Sequence, residues 1–203
     1  FDHMTTILSN LTSSRIVARD GGTLSVVQQG TVRYGFLSFP FSSEREVRLE
    51  RPWGTLSGTL TRPDEAGDAV ALLIAGSGPT DRDGNNPLGV KAASLRLIAE
   101  GLAAQGIASL RYDKRGIGAS RFTEPEKMAD AVLGDFIGDA AAWADYLAGE
   151  GFRRVVLIGH SEGALIAFCA AQQTPKVAAV VSLAGAGYPL DEILQLQLAS
   201  QLL

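Results

Sequence analysis

The chain has 203 residues, 46% hydrophobic and 20% charged, the proportions of a globular protein with one sizeable core. Its formal charge of −4 argues against a nucleic-acid or anionic-membrane surface, and no apolar run approaches the roughly 20 residues of a membrane-spanning helix. A lone cysteine, Cys169, excludes an internal disulfide and a multi-cysteine metal site. The first residues look unlike a start codon and signal peptide. Asp2-His3-Met4 reads as a cloning remnant and is left out of fold reasoning, with the cytoplasm as default compartment.

Residues 1–45 are expected to be an N-terminal segment to which the pattern assigns no role. Within it, residues 23–27 and 32–37 alternate partly and suggest a pair of strands. Pro40 and the cluster Ser42-Ser43-Glu44 then mark a boundary. Residues 46–49 and 55–61 alternate as a meander at a sheet edge, separated by Pro52 and Gly54. From residue 69 the rhythm changes. Residues 70–74 form a continuous apolar run, as expected of a strand covered on both faces. A helix over 92–105 follows, with Leu95, Ile98, Leu102 and Ala103 on one face and Gly106 as its stop. Residues 107–112 read as the next strand. The span 128–148 reads as one long helix with Phe136, Ala140, Trp143 and Leu147 in a stripe. Residues 154–158, 177–183 and 190–203 follow as strand, strand and helix. The alternation calls for an α/β fold with a mostly parallel sheet covered by helices on both faces. A core over 46–188 and the start of a lid over 189–203 complete the expected division.

Gly159-His160-Ser161-Glu162-Gly163 fits G-x-S-x-G, between an apolar β-branched segment and the helix former Ala164-Leu165-Ile166-Ala167. Strand, sharp turn and helix make this a nucleophile-elbow candidate. Gly159 and Gly163 are expected where strand and helix pass too closely for side chains, and Ser161 at a strained tip beside a helix N-terminus. A second loop, Gly76-Ser77-Gly78-Pro79-Thr80-Asp81-Arg82-Asp83, follows the strand at 69–75. It can present main-chain N–H groups to an oxyanion, with the N–H of Ser77 as one donor and that of Glu162 as the other. A dinucleotide loop fails because Asp81 stands where glycine is needed, and a calcium loop fails at Asn86 and Ala92. Asp81, Asp83 and Arg82 are expected to pair with each other or to rim the substrate pocket. Tyr112-Asp113-Lys114-Arg115-Gly116 reads as a turn that holds adjacent loops through Asp–Arg hydrogen bonds. Only His3 and His160 are histidines. His160 is expected to be a buried, hydrogen-bonded side chain that does not reach the Ser161 hydroxyl. Beyond Ser161 the only aspartate is Asp191, at the start of the last helix.

On these three motifs the chain resembles the α/β-hydrolases, and more narrowly bacterial serine carboxylesterases related to the serine aminopeptidase-like group. The resemblance covers residues 46–187. It implies a chain order of serine, acid and histidine, with the acid and the histidine lying beyond residue 203. It also implies a C-terminally incomplete catalytic domain and an apolar, exposed sheet edge at the strand near Val180. The implied function is hydrolysis of a small-molecule carboxylic ester through an acyl-enzyme on Ser161, without metal or organic cofactor. A peptidase, thioesterase or acyltransferase on the same fold, or a non-catalytic binding protein, are the alternatives.

Overall fold

The computed structural model describes residues 15–20, 23–28, 42–89 and 91–201. In chain order its elements are β1 (Arg15–Asp20), β2 (Thr23–Gln28), β3 (Ser42–Arg51), β4 (Gly54–Pro63), β5 (Ala69–Ile74), α1 (Ser94–Ala103), β6 (Ala108–Tyr112) and β7 (Arg121–Phe122). A 3-10 turn (Pro125–Asp130), α2 (Leu133–Gly149), β8 (Arg154–His160), α3 (Glu162–Gln173), β9 (Val177–Leu183) and α4 (Leu190–Gln201) complete the series.

These strands form one mixed sheet in the order β2-β1-β9-β8-β5-β6-β4-β3, with β7 added on β4. Its four central strands, β9, β8, β5 and β6, run parallel, and the strands on either flank run antiparallel. Being covered on both faces, the central strands need apolar side chains in both directions, which explains their unbroken runs in the sequence. β5 shows this directly. Val70, Leu72 and Ile74 enter a large core with Trp143, Leu147 and Ile166, which come from α2 and α3. Ala71, Leu73 and Ala75 face the opposite way, into a smaller core with Leu95 and Ala99 of α1. The expected α/β architecture with helices on both faces is therefore present, and the carboxyl ends of β5, β6 and β8 open on the same side.

Several boundaries differ from the sequence reading. The expected boundary at Ser42-Ser43-Glu44 is the start of β3, because each of these residues pairs with β4, from Ser42↔Pro63 onward. The strand expected over 23–27 exists as β2, but its hairpin partner is β1, and residues 32–37 lie outside the described residues. The long helix expected over 128–148 begins only at Leu133. Pro125 opens a separate 3-10 turn, and Ala131 and Val132 are extended. The carboxylate of Asp135 then accepts the Val132 N–H at 2.9 Å and restarts the chain as α2. Finally, the outer edge of β9 is not exposed. β1 pairs with it antiparallel, from Arg15↔Ser182 to Ala18↔Ala179, and so satisfies the main-chain groups that an open edge would present.

Candidate active site

β8 ends at His160 and α3 begins at Glu162, so a single residue, Ser161, makes the whole turn. Such a reversal requires an unusual backbone, and Ser161 has φ 53° and ψ −120°. A conformation of this kind costs on the order of 1–3 kcal/mol and persists only where its surroundings impose it. Two glycines make that possible. A Cβ on Gly159 would lie 2.1 Å from the carbonyl oxygen of Gly163, and one on Gly163 would lie 2.4 Å from that of Ile74. Strand, helix and neighbouring β5 touch through bare backbone. The Ser161 N–H donates to Leu183 O at 2.9 Å, and Ser161 O accepts from the Ala164 N–H at 3.0 Å, which holds the turn at both ends.

The loop after β5 packs directly on this turn. At Gly76 a Cβ would stand 3.2 Å from both His160 Nδ1 and Ser161 Cβ. Gly76, Ser77, His160 and Ser161 together line a cavity of about 250 Å³, with Ala75, Thr80, Gly84, Asn86, Ala92, Ser94 and Leu95 as the remaining lining. Among the described residues, the main-chain N–H groups of Ser77 and Glu162 have no protein acceptor. Glu162 is the first residue of α3, where an N–H has no partner within the helix. Ser161 and the two candidate donors are thus brought to one place.

Asp81 and Arg82 do not line the cavity, and Arg82 pairs with Asp113 and Glu46 instead of the loop's own aspartates; both residues fasten the loop. The Asp81 carboxylate accepts N–H bonds from Asp83 (3.0 Å) and Asn85 (2.8 Å), folding residues 81–85 on themselves. Asp83 O accepts from Leu95 and Arg96, which satisfies the first turn of α1. Arg82 turns toward the sheet. Its Nε and Nη2 donate to Asp113 Oδ2 at 3.0 and 2.8 Å, and its Nη1 donates to Glu46 Oε2 at 2.6 Å and Thr59 Oγ1 at 3.0 Å. Beside it, buried Arg111 donates to Asp83, Thr61 and Glu44. Burial opposes ionisation of both Arg82 and Glu46. The Asp113 and Glu46 carboxylates outweigh it at Arg82, raising its pKa. At Glu46 the Ser57 hydroxyl and the Arg82 guanidinium outweigh it, holding the carboxyl below its ordinary value. The Asp113-Lys114-Arg115 segment supplies the Asp–Arg bonds expected of it. Asp113 serves Arg82, and Arg115 donates twice to buried Asp139, at 2.8 Å each.

His160 requires a correction. Its ring is exposed at the cavity rather than buried in the core, and it makes no side-chain hydrogen bond to another described residue. Loss of water on its covered side still pushes its pKa down, favouring the neutral imidazole. Sequence reasoning also missed Ser94, Asn86 and Thr80 as lining residues. The signal was faint: Gly84, with φ 91°, is the point where a side chain would strike Ser94 Oγ, at 2.4 Å. Among the described residues no group of three or more His, Cys, Asp or Glu could hold a metal ion, and no helix is long and apolar enough to cross a membrane.

The profile of the serine aminopeptidase S33 family of hydrolases matches residues 89–202, more than half of the chain. The chain belongs to this family, within the α/β-hydrolase superfamily. The match contains the elbow, α2 and β9, whereas the loop that carries Ser77 lies before it. Solved α/β structures share the fold. One is a cold-adapted esterase from an Arctic intertidal metagenomic library, at 22% identity over 67% of this chain and 58% of that chain, TM-score 0.53. Another is an esterase from Pyrococcus furiosus, at 23% identity over 67% and 48%, TM-score 0.52. A third is the α/β hydrolase GrgF from Penicillium sp. sh18, at 21% identity over 67% and 44%, TM-score 0.51. The chain spans about half the length of these proteins. The search of curated proteins gave no match.

Proposed function

We propose that this S33-family chain carries the nucleophile and oxyanion half of a serine hydrolase site that acts on carboxylic esters. The single observation behind this reading is the strained Ser161, facing a cavity beside two main-chain N–H groups that have no protein acceptor. Ser161 Oγ attacks the ester carbonyl, and the N–H groups of Ser77 and Glu162 hold the negative oxygen of the tetrahedral intermediate. Such donors are effective because they are fixed before charge develops, and one of them is worth about 10²–10³ in kcat. Collapse expels the alcohol and leaves an acyl group on Ser161, and water then releases the acid. A histidine and an acid carried beyond residue 203, in the chain order usual for the fold, would take and return the protons.

An ester is favoured over a peptide with a free amino terminus. The described lining is small and neutral, with Ala75, Thr80, Asn86, Ser94 and Leu95 and no carboxylate to hold an ammonium group. Two of the solved proteins of like fold are named esterases, which supports the same choice. Fluorophosphonate labelling and hydrolysis of p-nitrophenyl butyrate test the reading, on this chain and on one extended past residue 203. Labelling at Ser161 and turnover are both expected in the longer form, where a base activates the serine. Ser161→Ala should abolish labelling and reduce turnover by at least about 10³-fold. Turnover that survives the substitution would end the serine mechanism.

A further inference from the structure

Lys114 is a charged residue that neither the elbow nor the loop network uses. It follows β6 at the carboxyl end of the sheet and is only 5% exposed. Lysine is rarely buried to this degree without a partner. Its hydrogen bond goes to a main-chain atom: Nζ donates to the carbonyl oxygen of Gly76 at 2.5 Å. The centroid of the Phe136 ring lies 5.9 Å from the same nitrogen. No carboxylate forms an ion pair with it among the described residues, although the charge of Glu162 is felt there.

The acceptor gives this contact its meaning. Gly76 C=O and Ser77 N–H are the two ends of one peptide group, and their electrons are shared through the amide. A cation held on the oxygen draws density toward itself and leaves the N–H more positive. Hydrogen-bonded groups in a low-dielectric setting polarise one another in this way. The same contact fixes the rotation of the peptide plane and hence the direction of the Ser77 N–H. We propose that Lys114 is a positioning residue that orients and polarises the Gly76–Ser77 peptide, making Ser77 a stronger oxyanion donor. The proposal rests on the reading of Ser161 and Ser77 given above. Burial pulls the Lys114 pKa down and the nearby Glu162 carboxylate opposes that pull, so Glu162, which supplies the other donor N–H, also helps keep the charge on Lys114.

The test compares wild type, Lys114→Met, Lys114→Arg and Ser161→Ala in p-nitrophenyl butyrate hydrolysis and in binding of an aryl trifluoromethyl ketone. Both are measured on the chain extended past residue 203. Lys114→Met keeps the length of the side chain and removes the charge and the donor. It should lower kcat about tenfold, with KM changed less than about twofold, and weaken the ketone by the same factor as kcat. Lys114→Arg should recover part of the loss, since a cation again reaches the carbonyl. A spectroscopic measurement on wild type stands apart from turnover and from the folding of any variant. The Lys114 ammonium protons should exchange slowly with solvent and correlate in NMR with the Gly76 carbonyl carbon. In Lys114→Met, the Gly76 carbonyl carbon and Ser77 amide nitrogen resonances should move upfield. If kcat is unchanged in Lys114→Met while Ser161→Ala is inactive, or if no ammonium–carbonyl correlation exists in wild type, the role of Lys114 is overturned and the serine reading stands. If Ser161→Ala hydrolyses the ester as wild type does, the serine reading itself fails, whatever Lys114 does.

Discussion

The two loops that meet at the cavity are held by opposite means. At the elbow, order comes from the absence of side chains: Gly159 and Gly163 let strand, helix and β5 touch, and the turn is held by main-chain hydrogen bonds. The loop after β5 is instead anchored by charge, through Arg82 on Asp113 and Glu46, and Arg111 on Asp83 and Glu44. The first kind of order is steric and all-or-none. The second is a sum of separable contacts, some buried and some half-exposed, and it responds to solvent. A site that needs a hydroxyl and a donor N–H at fixed separation therefore depends on two supports that fail under different conditions.

Breaking the steric support should have the largest effect. Gly159→Ala places a Cβ 2.1 Å from the Gly163 carbonyl oxygen, a contact that only displacement of α3 can relieve. The expected result is a loss of more than about 4 kcal/mol of stability, together with loss of fluorophosphonate labelling, read by urea unfolding and mass spectrometry. Breaking the charge support at its buried end comes next. Asp113→Asn removes the carboxylate that receives three bonds from Arg82 and one from the Ala119 N–H. About 3 kcal/mol should be lost in urea unfolding, because a buried guanidinium is left with only Glu46 opposite. Labelling of Ser161 should persist, since the elbow does not use Asp113. Acid should produce the smallest effect and the sharpest contrast. The Glu46 pKa is lowered in the folded protein, so its contribution is full above the ordinary value of 4.5 and is lost as pH falls through the folded value. The stability difference between wild type and Glu46→Gln should therefore be present at neutral pH and close in acid. Equal differences at every pH would show that Arg82 does not depend on Glu46.

The same contrast explains what could be read from the sequence. The elbow was legible because its requirements are local: two glycines, a serine and the flanking strand and helix all lie within one short stretch. The central strands were legible because burial on both faces leaves an unbroken apolar run. Charged contacts were legible only as chemistry. Asp113 and Arg115 announced a salt-bridged turn, but the choice of Arg82 and Asp139 as partners depends on how distant segments are brought together by the sheet. Lys114 stood in that turn with no role assigned to it, for the same reason. His160 was misread because it continues the less buried face of β8, the face of Val156 and Ile158, past the end of the core on that side, where the cavity begins. The start of α2 was misread because the helical stripe continues through Met128, while Pro125 and the extended Val132 interrupt it. β1 could not be inferred at all, since Arg15–Asp20 has no apolar periodicity of its own and is defined by what it pairs with.

That last strand has a consequence for biosynthesis. Val17 lies opposite Val180 in the sheet, yet a ribosome releases the first of them on the order of 10 s before the second. Until then the N-terminal hairpin must wait while the central strands are still being made. Docking it on β9 closes a very long loop, so this pairing forms late in folding. A chaperone that shields this early segment should raise the yield of native protein without touching the catalytic groups.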